Sequence, residues 1–168
     1  VLASLTSTVD KNIPYNQMKY PYRYALVIGN EDYSRYQRGL GSESDVAFAR
    51  HDAEVFYEYV TKTMGVQPDN AFLLTDATSG EMEQKIELIS KLAAKTGPRA
   101  EIIFYYAGHG LPDEANREPY LIPVDVSGTH LSSAIKLADI YQKLGASQAG
   151  KVTMFLDACF SGGGRDAS

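Results

Sequence analysis

Cys159 is the only cysteine in the 168-residue chain, and His109 precedes it by 50 positions. A single cysteine excludes an internal disulfide, and a lone cysteine is often just a small buried apolar residue. A cysteine thiolate attacks a carbonyl carbon efficiently only where a base or cation keeps it ionised, and histidine is its usual partner. The two side chains therefore predict nucleophilic chemistry if folding brings them together.

Glycines accompany both residues. Gly108 and Gly110 flank His109, and three glycines occupy positions 162–164 after Cys159. Glycine lets a backbone turn sharply and approach a ligand closely. Backbone N–H groups near Gly110 and Cys159 could then face a developing oxyanion. The alternative is that these glycines only mark turns.

Short apolar runs that alternate with helical stripes dominate the rest of the chain. Residues 24–28 are typical of a strand buried on both faces and residues 102–107 of another buried strand. Residues 71–75 and 152–156 predict two further strands. Apolar residues at three- and four-residue steps predict helices over residues 46–64, 82–93 and 137–144. This alternation predicts an α/β fold with a mostly parallel sheet and helices on both faces.

Local signals set the predicted boundaries. Ser42 or Ser44 can cap the first helix, and Thr78 with Glu81 forms a capping box for the second. Residues 120–124 are expected to form a short edge strand, because their proline cannot donate to a ladder. Residues 1–22 show neither the periodicity of a helix nor that of a strand, and they predict an extended arm. Residues 23–168 are then expected to form one domain.

The topology explains how the two reactive residues could meet. Ligands of open α/β sheets lie beyond the carboxyl ends of the strands. His109 follows the third apolar run and Cys159 follows the fourth, so both project from one edge if those strands are neighbours. His51 and His130 lack such a context and are expected to be structural or exposed. Zinc sites need three or four protein ligands and no third is placed by spacing, so no metal is expected.

The composition narrows the class of protein. The chain has 16 basic and 21 acidic residues, a net charge of −5, which argues against nucleic acid as a partner. No apolar run approaches the ~18–20 residues that span a bilayer. The first residues lack the basic flank of a signal peptide. Because the chain opens without Met, it is expected to have been trimmed. The composition predicts a soluble protein.

Two motifs carry a family resemblance. Tyr-Ala-Gly-His-Gly at 106–110 and Asp-Ala-Cys-Phe-Ser-Gly at 157–162 resemble the His and Cys motifs of the caspase family, including their spacing. Residues 25–30, 51–53 and 120–125 are also similar, closest to bacterial and metacaspase-type members, so the resemblance covers about 23–164. It implies a caspase-like three-layer sandwich, and a bacterial protein that is cytoplasmic or exported.

The resemblance also implies a reaction, cysteine peptidase activity on protein or peptide substrates. Cys159 would attack the scissile carbonyl to give a thioester, and His109 would protonate the departing amine. The backbone N–H groups of Gly110 and Cys159 would form the oxyanion hole. No third catalytic residue is evident in the sequence.

One departure from animal caspases concerns specificity. They have Gln two residues before the nucleophile, whereas this chain has Asp157. In metacaspase-type relatives an acidic residue here lies in the S1 pocket, and a buried carboxylate there would accept Arg or Lys and repel Asp. Asp52 matches a second acidic S1 position, and Ala107 would wall the pocket. The alternatives are a hydrogen-bonding loop residue for Asp157 and a solvated helix carboxylate for Asp52.

The resemblance finally implies a partner. Four strands would leave the edge beside the last one open, and caspase-like enzymes place further strands in a small subunit. The chain is therefore expected to be a processed large subunit that pairs with a small, p10-like subunit of the same precursor. Arg165 is the candidate processing site. Some metacaspases require calcium, but no acidic loop here assigns calcium ligands and no cofactor is expected.

Two other classes of function stay open from the sequence. One is a catalytically silent caspase-like scaffold. The other is a receiver-like or flavodoxin-like signalling domain, which fits the alternation of strands and helices but leaves both motifs unexplained.

Overall fold

The computed structural model describes residues 7–160, which form helices α1–α5 and strands β1–β7. In chain order the elements are α1 (Thr8–Lys11), β1 (Arg23–Gly29), α2 (Tyr33–Tyr36), α3 (Ala49–Lys62), β2 (Ala71–Thr75), α4 (Ser79–Thr96), β3 (Glu101–Ala107), β4 (Gly110–Pro112), β5 (Pro119–Leu121), β6 (Ile135–Lys136), α5 (Leu137–Ala146) and β7 (Lys151–Asp157). Within this range no helix is both long and apolar enough to cross a bilayer.

A four-stranded parallel sheet forms the centre of the domain. Its order is β2-β1-β3-β7, so β3 and β7 are neighbours and β7 lies at one edge. The predicted α/β fold is confirmed, and the third and fourth main strands are neighbours, which meets the condition for His109 and Cys159 to project from one edge. The predicted capping box is present as well, since Thr78 and Glu81 cap α4 reciprocally.

Helices cover both faces of this sheet because the central strands carry apolar side chains on both sides. Leu26 and Ile28 of β1 pack with α4 and α5 on one face. Ala25 and Val27, the alternating positions, pack with α3 on the other. All four side chains are fully buried. The sheet and its helices thus make the expected three layers.

Helix α3 begins later than predicted, and neither Ser42 nor Ser44 caps it. Both belong to a short 3-10 turn, and α3 starts after Phe48, whose φ of 71° is left-handed and which provides no side-chain cap. Asp45 explains the difference. Its carboxylate accepts hydrogen bonds from the N–H and Oγ of Ser34, at 2.8 and 3.0 Å, which ties this segment to helix α2.

The prediction of an edge strand at residues 120–124 is wrong, because the strand found there is not at an edge. Strand β5 is the middle strand of a small antiparallel sheet with the order β4-β5-β6. Pro123 lies beyond the end of β5, so its missing N–H costs the ladder nothing. The first residue of β4 is Gly110, so this sheet begins immediately after His109.

From residue 7 to residue 22 the arm is extended except for one helical turn, which its sequence did not indicate. Reciprocal hydrogen bonds between Ser7 and Asp10 cap this turn, α1. The arm then follows α3, where the Tyr59 hydroxyl donates to the Val9 carbonyl at 2.8 Å. Near the end of α3, Asn16 N–H donates to the Lys62 carbonyl, also at 2.8 Å.

Candidate active site

The ends of β3 and β7 place His109 and Cys159 at equivalent positions. The strands run in register to the pair Ala107 and Asp157, and each reactive residue lies two residues beyond its strand. Gly108 N–H continues the contact by donating to the Asp157 carbonyl at 3.2 Å. Cys159 is exposed, so it is not the buried apolar residue that a lone cysteine often is.

The backbone at Gly110 lies directly against the segment that carries Cys159. A Cβ atom at Gly110 would lie 2.6 Å from Cε1 of Phe160 and 3.1 Å from the Cβ of Ala158. The glycine therefore has a steric role rather than a role as turn punctuation alone. It lets the chain after β7 pack onto the loop that contains His109.

The imidazole of His109 is oriented by a main-chain carbonyl. Nε2 lies 2.7 Å from the carbonyl oxygen of Ser44. A carbonyl oxygen only accepts, so we assign the ring proton to Nε2. That leaves Nδ1 as the nitrogen that can exchange a proton with a neighbour. Sequence reasoning found no third group because a backbone carbonyl has no residue-type signature.

The N–H of Gly110 is directed away from the small sheet. Ile122 N–H donates to the His109 carbonyl at 3.0 Å, so His109 and Ile122 form a hydrogen-bonded pair. Hydrogen-bonded and non-hydrogen-bonded pairs alternate along antiparallel strands. The next pair, Gly110 and Leu121, is therefore a non-hydrogen-bonded pair. The backbone groups of such a residue point away from the partner strand. This donor is therefore available beside the end of β7.

Acidic side chains gather on the α3 face of the same sheet edge. Ala107 and Asp157 are paired in register and so share a face, and Ala107 is only 2% exposed. Tyr105, two residues earlier, packs on the α3 side, which puts Asp157 on the side of α3. Asp52 lies in the first turn of that helix.

The pKa shifts of Asp52 and Tyr105 indicate that the carboxylates of Asp52 and Asp157 face the same region of the sheet edge. Partial burial raises the pKa of Asp52, and the charges of Asp157, Asp10 and Glu31 raise it further, against the opposing effect of His51. Burial raises the pKa of Tyr105 to about 12, with Asp52 and Asp157 adding to the shift.

Asp157 differs from expectation in one respect, since its side chain is exposed and not buried. The reason is its position at the end of β7, the edge strand of the sheet.

The two other histidines have different surroundings, and one candidate lies beyond the described range. His51 lies next to Asp52 in α3, and its Nε2 is 3.5 Å from the Asp10 carboxylate. Nδ1 of His130 lies 2.9 Å from Thr129 Oγ1 in an exposed loop. Between residues 7 and 160, no three His, Cys, Asp or Glu side chains are grouped as a metal site requires. Arg165 lies outside the described residues.

Known proteins resemble the chain over most of its length. The family model described as the caspase domain, peptidase C14, matches residues 22–168. Metacaspase-1 of Candida glabrata is 26% identical to the chain over 95% of the chain and 42% of its own length. The chain thus spans less than half of that relative. The relative is a yeast protein, and the expected bacterial origin stays a prediction. The family match shows that the chain belongs to the caspase-domain family.

Proposed function

We propose that the chain is the catalytic part of a cysteine endopeptidase in which Cys159 is the nucleophile and His109 the general acid and base. One observation carries the proposal. The two residues lie in equivalent positions past adjacent parallel strands, with Nε2 of His109 held by the Ser44 carbonyl. An oriented histidine beside an accessible cysteine is the arrangement that activates a thiol.

The reaction follows from these positions. The Cys159 thiolate bonds to the substrate carbonyl carbon, and the negative charge moves to the carbonyl oxygen. The N–H groups of Gly110 and Cys159 are proposed to donate to that oxygen, a contribution worth roughly 3–4 kcal/mol of barrier per donor. Nδ1 of His109 holds the proton that it took from the Cys159 thiol, and the C–N bond breaks as Nδ1 gives this proton to the leaving amine. Water then attacks the thioester carbonyl while Nδ1 takes a proton from that water, and the C–S bond breaks to release the carboxyl product and the Cys159 thiolate.

The substrate side chain before the cleaved bond is proposed to be Arg or Lys. Asp157 and Asp52 each oppose ionisation of groups at this sheet edge. A guanidinium or ammonium group between them would replace repulsion by charge-assisted pairing. A substrate Asp would add a third negative charge. Ala107 supplies a small, buried wall beside Asp157, leaving room for a long side chain.

The open edge at β7 supports the proposal of a partner polypeptide, namely a small subunit released from the same precursor. In the part of the chain described, β7 pairs with β3 alone. Val152 and Phe155 of β7 are 37% and 41% exposed. Beside β7, the α5 side has an apolar groove of about 270 Å³ that Tyr141 and Met154 help to line. A strand added at this edge would cover both the backbone donors and these side chains.

Val152→Lys tests this partner directly. A lysine on an exposed edge strand opposes strand pairing, so the variant is expected to lose most of the co-purifying fragment and its activity at low protein concentration. Intact-mass analysis and hydrolysis rates measure both. Val9→Lys, at a valine of the arm that is 58% exposed, is the matched control. If Val152→Lys keeps its partner and activity, β7 is not the site of pairing.

Gly110→Ala tests the close packing beside the nucleophile. The added methyl group would push Phe160 and Ala158 away, and a displacement of about 1 Å can cost 100-fold in rate. We expect kcat/KM to fall by about 100-fold with little change in melting temperature. Gly80→Ala is the control, because a Cβ there meets nothing within 4 Å. Equal activities of the two variants would contradict the packing argument.

The proposed function is tested by incubating the purified protein with fluorogenic peptides ending in Arg, Lys, Asp or Leu. Cleavage after Arg and Lys is the expected result. Preference for Asp would overturn the assignment of Asp157 and leave the peptidase proposal in place. No cleavage of any peptide would contradict the peptidase proposal itself.

A further inference from the structure

Two buried phenols hold the main chain of His109 from both sides. The Tyr33 hydroxyl accepts the N–H of His109 at 3.0 Å and donates to the Ile122 carbonyl at 2.8 Å. The Tyr106 hydroxyl donates to the His109 carbonyl at 2.8 Å and also lies 3.0 Å from the Ile122 carbonyl. The hydroxyls themselves are 3.4 Å apart. The backbone N–H and the backbone carbonyl of His109 are thus both hydrogen-bonded to tyrosine side chains.

These hydroxyls lie in the interior of the protein. Tyr33 is 1% exposed and Tyr106 is fully buried. Burial raises the pKa of Tyr33 to about 12 and that of Tyr106 well above its ordinary value. Both groups therefore stay protonated and able to donate throughout the pH range in which a peptidase works.

The backbone before His109 is pressed against the same two hydroxyls. Gly108 has a φ of 155°, and a Cβ there would lie 2.7 Å from the Tyr106 oxygen and 3.0 Å from the Tyr33 oxygen. Only glycine brings the chain this close. A specific backbone path into the reactive residue is therefore built around the phenols.

Tyr33 also contacts the reactive ring itself. Its ring centroid lies 4.6 Å from that of His109, at an interplanar angle of 51°, within the range of a favourable tilted aromatic pair. The imidazole is thus confined by Tyr33 on one side and by the Ser44 carbonyl at Nε2.

We propose that Tyr33 and Tyr106 are positioning residues that fix the backbone and ring of His109 for proton transfer. The inference rests on the proposed catalytic role of His109. Tyr33 carries the larger share, because its hydroxyl is the acceptor for the His109 N–H and its ring touches the imidazole. The His109 carbonyl, by contrast, also accepts the N–H of Ile122 at 3.0 Å, which compensates in part for loss of the Tyr106 hydroxyl.

The test compares Tyr33→Phe and Tyr106→Phe with Tyr24→Phe in the purified protein. Tyr24 is also a buried tyrosine, 7% exposed, but its hydroxyl bonds to Thr96 Oγ1 at 2.7 Å, away from the site. Misplacement of a proton-transfer group lowers kcat more than it raises KM. We expect kcat to fall about tenfold in Tyr33→Phe and about threefold in Tyr106→Phe, with KM within about twofold and kcat of Tyr24→Phe unchanged.

A second readout does not depend on any substrate. Iodoacetamide alkylates a cysteine as its thiolate, so its rate at Cys159 reports how well His109 is placed to take the thiol proton. Alkylation is expected to slow about tenfold in Tyr33→Phe and to keep its wild-type rate in Tyr24→Phe. If the wild type cleaves no peptide, the proposed function fails while this measurement still tests the positioning.

The outcomes that overturn the inference are definite. The inference is overturned if Tyr33→Phe keeps the wild-type kcat and the wild-type alkylation rate. It is also overturned if Tyr33→Phe and Tyr24→Phe have equal melting temperatures and kcat falls no further in the first than in the second. If Tyr33→Phe does not fold, Tyr106→Phe decides, and unchanged kcat and alkylation there would reject the proposal.

Discussion

Cys159→Ala is expected to lower the rate of peptide hydrolysis by about ten-thousandfold or more, to the background of the assay. The thiol supplies the atom that bonds to the carbonyl carbon, and a methyl group cannot replace it. When a nucleophile is removed from a peptidase, only the oxyanion donors and substrate binding still act on the reaction. The measurement is kcat/KM on a fluorogenic peptide ending in Arg.

The histidine variants complete this experiment. His109→Ala is expected to cause a comparable loss, and the double variant no further loss, because the two groups act as a unit. His130→Ala is the control, since His130 lies in an exposed loop and bonds only locally to Thr129. A wild-type rate no higher than that of Cys159→Ala would favour the silent scaffold over the peptidase.

Asp157→Asn is expected to lower kcat/KM for a peptide ending in Arg by about 100-fold and to leave a peptide ending in Leu almost unaffected. Truncating one partner of a desolvated charge pair costs roughly 2–5 kcal/mol, and about 1.4 kcal/mol corresponds to tenfold. Asp157 is exposed in the free protein, so the bound substrate would itself exclude water from this pair. The Arg-to-Leu ratio of kcat/KM is therefore the sensitive readout.

Two further variants give this result its meaning. Asp52→Asn is expected to lose about tenfold on the Arg peptide, as the second and more distant contributor of charge. Asp139→Asn removes the same charge from the exposed side of α5 and should change nothing. A loss in Asp139→Asn equal to that in Asp157→Asn would mean that net charge, and not a pocket, governs the preference.

The pH dependence of cleavage provides a separate check on the same pair. The ionised form of Asp52 attracts a basic side chain, and its pKa is raised by burial and by Asp157. Cleavage after Arg should therefore decline as the pH falls through this raised pKa. Asp157→Asn removes a repelling charge, which lowers the Asp52 pKa and moves the acid limb of kcat/KM to lower pH. A limb that stays at the wild-type pH would show that the two carboxylates do not interact, and a limb that moves to higher pH would contradict the repulsion.

The parts of this structure that local patterns control were predictable. The strand cores are continuous apolar runs, and α4 is defined by its stripe and by the Thr78–Glu81 box, so both appeared where expected. The alternation of strands and helices predicts a parallel sheet but not the order of its strands, so the adjacency of β3 and β7 was a condition that only the structure could meet. The sequence does place each reactive residue just after a strand, and the pairing of β3 with β7 brings the two strand ends together.

The missed features depend on contacts between distant segments. Helix α2 is four residues long and too short to show a period, so the position of Tyr33 could not be anticipated. The Ser44 carbonyl belongs to the backbone and has no signature in the sequence. The left-handed Phe48 precedes α3 in a segment that Asp45 ties to Ser34 of α2, a contact that no local pattern announces.

Within residues 7–160, Cys159 lies just beyond a strand that is paired on one side only. If the proposed small subunit pairs with β7, it stabilises the strand that leads directly into the proposed nucleophile. Pairing at β7 and placement of Cys159 would then be linked equilibria, and by mass action the reactive fraction would rise with the concentration of the small subunit. Dilution of the two chains would by itself lower the rate of cleavage, and a higher local concentration would restore it, without any further modification of either chain.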